Sequence, residues 1–355
     1  MRNPLRFTAI CSITTAAGAV ISLLPNPSLK FQTPSHTVPL AAVTAVDSRQ
    51  AQAYGGADAV PNGYEMEYSQ VWDLLDRYFL YRDRLADWQE WKHRYDGQLN
   101  SEADADSAIE QMVKSLGDEY TFFRNGNETS QRDRDEKRHN VVTWKRLPKS
   151  LGYIHIHTFN SENVIDEART ALKKLGPVRG YILDLRDNNG GSIANASRVF
   201  SLFVSKGCFV RMEGVSEGKR DQEELAVAPD GIVTTENGAS CMASREPHLA
   251  GSKPMAILVN ESTKSAAEML AGALRDNKRG TVFGVKTFGK GIIQRIWQFD
   301  DQGTSIKITA ARYFLPSGVN IHGVGLHPDR VISNRAKVDR QLTAATDWLW
   351  KRSHS

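Results

Sequence analysis

Two short, almost unbroken apolar runs constrain this chain most: Tyr181-Ile182-Leu183-Asp184-Leu185 and Pro254-Met255-Ala256-Ile257-Leu258-Val259. Both read as buried strands. Helical spacing surrounds them. Val164, Ile165, Ala168, Leu172 and Leu175 mark a helix ended by Gly176-Pro177, and residues 193–203 mark a second. Gly152-Tyr153-Ile154-His155-Ile156-His157 alternates as a strand does, and residues 208–212 read as another strand. Strands alternating with helices predict an α/β layer architecture from Val141 onward. Residues 213–252 are polar and irregular and read as a hairpin or lid.

Upstream the period is helical throughout. Val71, Leu74, Leu75, Tyr78 and Phe79 share one stripe, and Trp88 and Trp91 share a second. Ile109, Met112, Val113 and Leu116 form a third, with Gly117 placed to stop that helix. The expected organisation is an N-terminal segment (1–28), a linker (29–62) and a small helical domain (63–124). A polar loop (125–140), an α/β core (141–335) and a C-terminal helix (336–355) follow.

With 45 Lys+Arg against 41 Asp+Glu, the net charge of +4 is a mild bias. It gives no basis for a nucleic-acid footprint, which needs a clustered basic face. Arg2 and Arg6 precede an uncharged, mostly apolar run over residues 7–24, closed by Pro25-Asn26-Pro27. That is a basic region followed by an apolar one, and it predicts export with cleavage in preference to an uncleaved membrane anchor. Removal of this segment takes Cys11 with it. Cys208 and Cys241 then remain, either as a disulfide or as two unrelated buried thiols.

Chemistry concentrates in two segments. Ser265 follows the second apolar run and precedes Ala266, Met269, Leu270, Ala273 and Leu274 at helical spacing. It therefore stands at a helix N-terminus, where a serine is usually a cap. The same place offers a nucleophile unpaired amides, that of Ala266 first, to bind an oxyanion. Lys290 lies between Gly289 and Gly291, which let it approach another backbone closely. Desolvation of its amine would fit it to take the serine proton. Residues 292–299 read as a strand, so Gln294 and Lys290 point to one side and the amide can orient the amine without adding charge. Residues 284–291 are one substitution from a phosphate-binding loop. Gly291 replaces the required Ser or Thr, and a strand rather than a helix follows. A Gly190-Gly191 turn after the first apolar run offers free amides to an anion. His155 and His157 share a strand face but lack a third ligand for zinc.

Together these segments resemble the carboxyl-terminal processing peptidases, or tail-specific proteases. The resemblance rests on Leu116-Gly117-Asp118-Glu119-Tyr120-Thr121, Gly152-Tyr153-Ile154, Leu183-Asp184-Leu185-Arg186 with Gly190-Gly191, the Ser265 segment and residues 287–294. Tyr313-Phe314-Leu315-Pro316-Ser317-Gly318 and residues 323–329 extend it. It implies a crotonase-like ββα core, a mixed sheet with helices, beside a small N-terminal helical domain. It implies Ser265 as nucleophile, Lys290 as general base and Gln294 as the residue orienting it. Ala266 and one of Gly190 or Gly191 would form the oxyanion hole, and Asp276 matches an acidic position of structural role. Protein or peptide substrates, an exported location and no metal or cofactor follow. Three departures stand out. The family usually carries a PDZ domain of about 80 to 100 residues, a typical module size, where this chain has only residues 124–140. Lys264 precedes the nucleophile where small residues are usual, and Ala267 replaces a common serine. The expected activity is an exported serine endopeptidase. A non-catalytic ligand- or partner-binding protein on the same fold, and an esterase or amidase, are the alternatives.

Overall fold

The computed structural model describes residues 62–125, 139–299, 303–334 and 338–352, with the backbone of two short strands at Ile13–Thr14 and Val20–Ile21. Those strands apart, the expectations for residues 1–61 and for most of the polar loop lie outside the described residues. The chain divides into two units. One comprises Met1–Ser130, Val215–Lys219 and Gln294–Ala310; the other comprises Gln131–Gly214, Arg220–Ile293 and Ala311–Ser355.

The first unit is built on three helices. Helix α1 (Gly63–Tyr78) starts in a capping box. The Asn62 side chain accepts the N–H groups of Tyr64 and Glu65, each at 3.0 Å, and Glu65 accepts that of Asn62 at 3.2 Å. Helix α2 (Trp88–His93) and helix α3 (Glu102–Ser115) follow, α3 capped by Ser101. Gly117, at φ +59°, takes the position just past the α3 C-cap expected of it. The stripes read from the sequence meet in one core of Val71, Leu75, Phe79, Ile109 and Met112, with Trp72 stacked on Trp88 at 5.8 Å. Strand β1 (Phe122–Arg124) pairs antiparallel with residues 305–307.

The second unit holds the α/β core. In chain order it has β2 (Val142–Leu147), β3 (Leu151–Ile156), α4 (Val164–Leu175), β4 (Gly180–Asp184) and α5 (Ile193–Phe203). Then come β5 (Gly207–Ser216), β6 (Lys219–Ala228), β7 (Gly231–Glu236), β8 (Ala239–Ala243), β9 (Met255–Val259), α6 (Ala266–Asp276) and β10 (Thr281–Gly284). Strands β11 (Ile292–Gln298) and β12 (Ser305–Phe314) begin or end in the first unit, and β13 (Arg330–Val331) and α7 (Arg340–Arg352) complete the chain.

The two apolar runs are β4 and β9, buried at every position. They are adjacent and parallel, with Ile257 opposite Leu183. Their sheet runs β13-β10-β9-β4-β3-β2, parallel except for the antiparallel β2–β3 edge. Helices cover it, so strands buried on both faces read as unbroken hydrophobic runs. In a second sheet β8, β7, β6, β5 and the end of β12 are successive neighbours.

This second sheet corrects the reading of residues 213–252 as irregular. They are largely strand, from β5 through β8. In β6 the inward positions are Asp221, Glu223, Leu225 and Val227. Two carboxylates at buried positions break the apolar alternation that identifies a strand. Cys208, on β5, is a thiol and so forms no disulfide with Cys241; burial pushes it up to about 11.

Candidate active site

Parallel strands deliver their chain ends to one edge of the sheet, and loops there carry chemistry. Residues 185–192 leave β4, and residues 260–265 leave β9, the strand beside it. Thr263, fully buried, locks the two loops together. Its hydroxyl donates to the Leu185 carbonyl at 2.9 Å and accepts the Asn260 N–H at 3.0 Å. Asn188, also fully buried, does the same from the other side. Its carbonyl accepts the Lys264 N–H at 2.9 Å, and its side chain donates to the Ile156 carbonyl at 2.8 Å.

Ser265 sits at the N-cap of α6 with φ +56° and ψ −122°. A non-glycine residue there is a backbone outlier, and such strain persists only where surrounding contacts hold it. The holding group is Glu268, at the third position of the helix and fully buried. Its Oε2 accepts the Ser265 N–H at 2.8 Å, the reciprocal half of a capping box at the start of α6.

The same carboxylate holds the lysine loop. Glu268 Oε2 also accepts the Lys290 N–H at 2.9 Å, and Oε1 accepts the Gly289 N–H at 2.7 Å and the Thr287 hydroxyl. Burial pushes the Glu268 carboxyl above its ordinary range, and these hydrogen bonds pull it part of the way back. Thr287 in turn accepts the Leu326 N–H at 2.7 Å. A Cβ on Gly289, which has φ +91°, would come within 2.7 Å of the Gly325 nitrogen, and one on Gly291 within 2.4 Å of that of His322. The glycines flanking Lys290 thus admit the 321–325 loop.

The Gly190-Gly191 turn meets the serine. A Cβ on Gly190, at φ +91°, would lie 2.7 Å from the Lys264 oxygen and 3.0 Å from the Ala266 nitrogen. The Gly190 N–H itself donates to Asn188 Oδ1 at 2.8 Å. Among the described residues the N–H groups of Gly191 and Ala266 are left without an acceptor. Tyr313, fully buried and raised by that burial, donates to the Ser265 carbonyl at 3.4 Å. Asp276 accepts the Ser317 N–H at 3.0 Å and pairs with Arg275, tying the end of α6 to the turn after β12.

Ser265, Ala266, Gly190 and the main chain of Lys290 are therefore gathered in one place. Gln294 belongs to the first unit, where its amide donates to the Tyr120 carbonyl at 3.4 Å. Strand β11 begins at Ile292, so Lys290 precedes the strand that carries Gln294. His155 and His157 do share a face of β3, their rings 3.9 Å apart. His155 faces the Arg186 carbonyl at 3.2 Å. Among the described residues no three His, Cys, Asp or Glu side chains cluster as a metal site would require. A polar cavity of about 340 Å³ lined by Tyr153, His155, Asp184, Arg186, Asn260 and Gln341 includes none of the candidate catalytic residues.

Sequence reading passed over Glu268, Asn188 and Thr287. A signal for Glu268 was present, since Ser265-Ala266-Ala267-Glu268 is a capping-box pattern. Nothing in a sequence says that one carboxylate also serves a loop more than twenty residues away.

Peptidase family S41 matches residues 150–332. Carboxyl-terminal-processing peptidase 2 of Arabidopsis thaliana, a chloroplastic protein, is 36% identical over 193 residues, 54% of this chain and 33% of its own length. The carboxyl-terminal-processing protease of Synechocystis sp. is 34% identical over 204 residues, 57% of this chain and 42% of its own. The chain thus spans well under half the length of these relatives. The photosystem II D1 C-terminal processing protease has the same fold, with a TM-score of 0.58 at 22% identity over 77% of this chain and 94% of that one.

Proposed function

The chain belongs to peptidase family S41, and we propose that it is an exported serine endopeptidase with Ser265 as nucleophile, Lys290 as general base and Gln294 orienting the lysine. Ser265 attacks the peptide carbonyl while Lys290 takes its proton and returns it to the leaving amine; water then deacylates the enzyme. The N–H groups of Ala266 and Gly191 receive the oxyanion. The apolar run of residues 7–24 supports export, and among the described residues no helix is long and apolar enough to cross a membrane.

One observation carries the reading. A single buried carboxylate, Glu268, holds the main chains of both Ser265 and Lys290, with the serine in a strained conformation. A residue that only capped a helix would need neither the strain nor the second loop.

A fluorophosphonate probe read by mass shift, run beside hydrolysis of a mixed-peptide library, tests it. Labelling at Ser265 and cleavage are expected in the native chain. Ser265→Ala and Lys290→Ala each lower turnover by about a thousand-fold or more, with thermal unfolding unchanged. Retained turnover in either variant overturns the assignment. Neither labelling nor cleavage by the native chain favours a non-catalytic binding protein on this fold.

A further inference from the structure

We propose that Lys264 is a specificity-determining residue, whose ammonium favours peptides that carry a carboxylate within one or two residues of the scissile bond. The proposal rests on Ser265 as the nucleophile and adds what selects its substrate.

Lys264 has no freedom in its backbone. Its N–H donates to the Asn188 carbonyl at 2.9 Å, and its own carbonyl lies against the Gly190 turn. It is therefore part of the wall in which the nucleophile and the oxyanion donors sit. Its side chain is also placed. Nζ stands 3.8 Å from the centroid of the Phe288 ring, a close cation–π contact. Phe288 is fixed in turn, its N–H donating to the Thr263 carbonyl at 3.1 Å. The ring is 48% exposed, although it is a large apolar side chain two residues before Lys290. The segments on either side of the nucleophile and the lysine thus present one surface feature: an open aromatic face carrying an ammonium.

A ring quadrupole attracts a cation without neutralising it, whereas a carboxylate partner would. Among the described residues the Lys264 ammonium contacts the Phe288 ring and no carboxylate. A bound peptide brings its own groups to this wall, and a carboxylate there meets a positioned cation at the edge of a partly desolvated site. Neutral neighbours gain only the apolar ring. The carboxylate has two sources, an acidic side chain or the free C-terminus of a peptide.

Matched peptides separate the sources: Glu against Gln at each position around the scissile bond, and free acid against C-terminal amide. The readout is the ratio of kcat/KM for carboxylate over amide within each variant, so the absolute activity of a variant does not enter. The native chain favours the carboxylate in one arm by about five-fold, the span of a partly exposed charge pair. Lys264→Gln, which keeps most of the stem, brings the ratio near one, and Lys264→Glu inverts it. Phe288→Leu, which removes the platform, lowers it. Dissociation constants of the same peptides for the Ser265→Ala variant, with and without Lys264→Glu, give the ratio free of turnover. A carboxylate preference that Lys264→Glu abolishes there upholds the proposal even where the native chain hydrolyses nothing. Hydrolysis with the same ratio in the native, Lys264→Gln and Lys264→Glu chains overturns it and leaves the Ser265 assignment intact. A Lys264→Gln effect confined to the pH profile also overturns it, because Lys264 would then be acting on Lys290.

Discussion

Glu268 is the side chain that ties the Ser265 and Lys290 segments together. Its two oxygens accept three N–H groups and a hydroxyl, all inside the protein. A glutamine of the same shape has one acceptor and one donor, so at least one pair of those donors faces an NH2 group. Leaving buried donors unmatched costs about 2–3 kcal/mol when the lost acceptor is charged. Glu268→Gln is therefore expected to lower unfolding stability by that order and to reduce kcat more than KM, because Ser265 and Lys290 lose the anchor that holds them in register. Chemical denaturation and steady-state kinetics check both; unchanged kcat in a folded variant would show that the carboxylate serves only the helix. Gly190→Ala acts on the same wall. A new Cβ would sit 2.7 Å from the Lys264 oxygen and 2.9 Å from the Ser265 Cβ, at a φ that only glycine adopts freely. Something must move, and what moves is the nucleophile loop. Loss of probe labelling with helix content retained in circular dichroism is the expected result.

At the scale of elements, the caps carry testable weight. Asn62 accepts two N–H groups of α1 and donates to the Leu99 carbonyl at 2.8 Å, so one side chain both starts the helix and ties it to the segment before α3. Asn62→Ala is expected to destabilise the first unit by about 1–2 kcal/mol, as loss of a side-chain cap does, seen as a lower thermal midpoint. The same elements show what a sequence discloses. Helices α1, α3, α4 and α5 were legible because their apolar residues recur at the helical period, and Gly117 and Gly176 end α3 and α4. Strands β4 and β9 were legible because both faces are buried. Strands β6 and β7 were not, because their inward positions include Asp221, Glu223 and Thr234, polar residues that hide a period of two. Of the site, Ser265, Ala266, Lys290 and the glycine turn could be picked out, since each lies at a strand end or between glycines. Asn188 and Thr287 could not, and Glu268 only as a helix cap, because their role is a set of hydrogen bonds between segments that only the folded chain brings together.

For the molecule as a whole, the apolar runs set the sheet, and one ionic joint fastens the last helix to it. Arg186, only 14% exposed, forms bidentate pairs with Asp184 at the end of β4 and with Asp339 at the start of α7. Asp184, at 1% exposure, also accepts the Tyr153 hydroxyl at 2.7 Å. Burial works against an ionised Asp339, but hydrogen bonds from Arg186 and the Leu342 N–H hold its carboxyl below its ordinary range. A carboxyl depressed in the folded state contributes stability that is complete above its unfolded pKa of about 3.9 and is lost as pH falls through the folded value. Glu268 works in the opposite sense. Its folded value is raised, so the stability tied to its protonated form declines as pH rises from the ordinary carboxyl range through that folded value. Arg186→Gln separates the two. It leaves two carboxylates without their cation, one of them buried, and is expected to lower stability near neutral pH by about 3 kcal/mol or more. Asp339 then returns toward its ordinary range, so the acid-side loss that it contributes in the native chain disappears, while the contribution of Glu268 stays. Denaturation midpoints taken across the acid range for the native and Arg186→Gln chains should therefore converge as pH falls below about 4. Curves that stay parallel over that range would mean that the joint holds α7 by packing, with its charges contributing nothing.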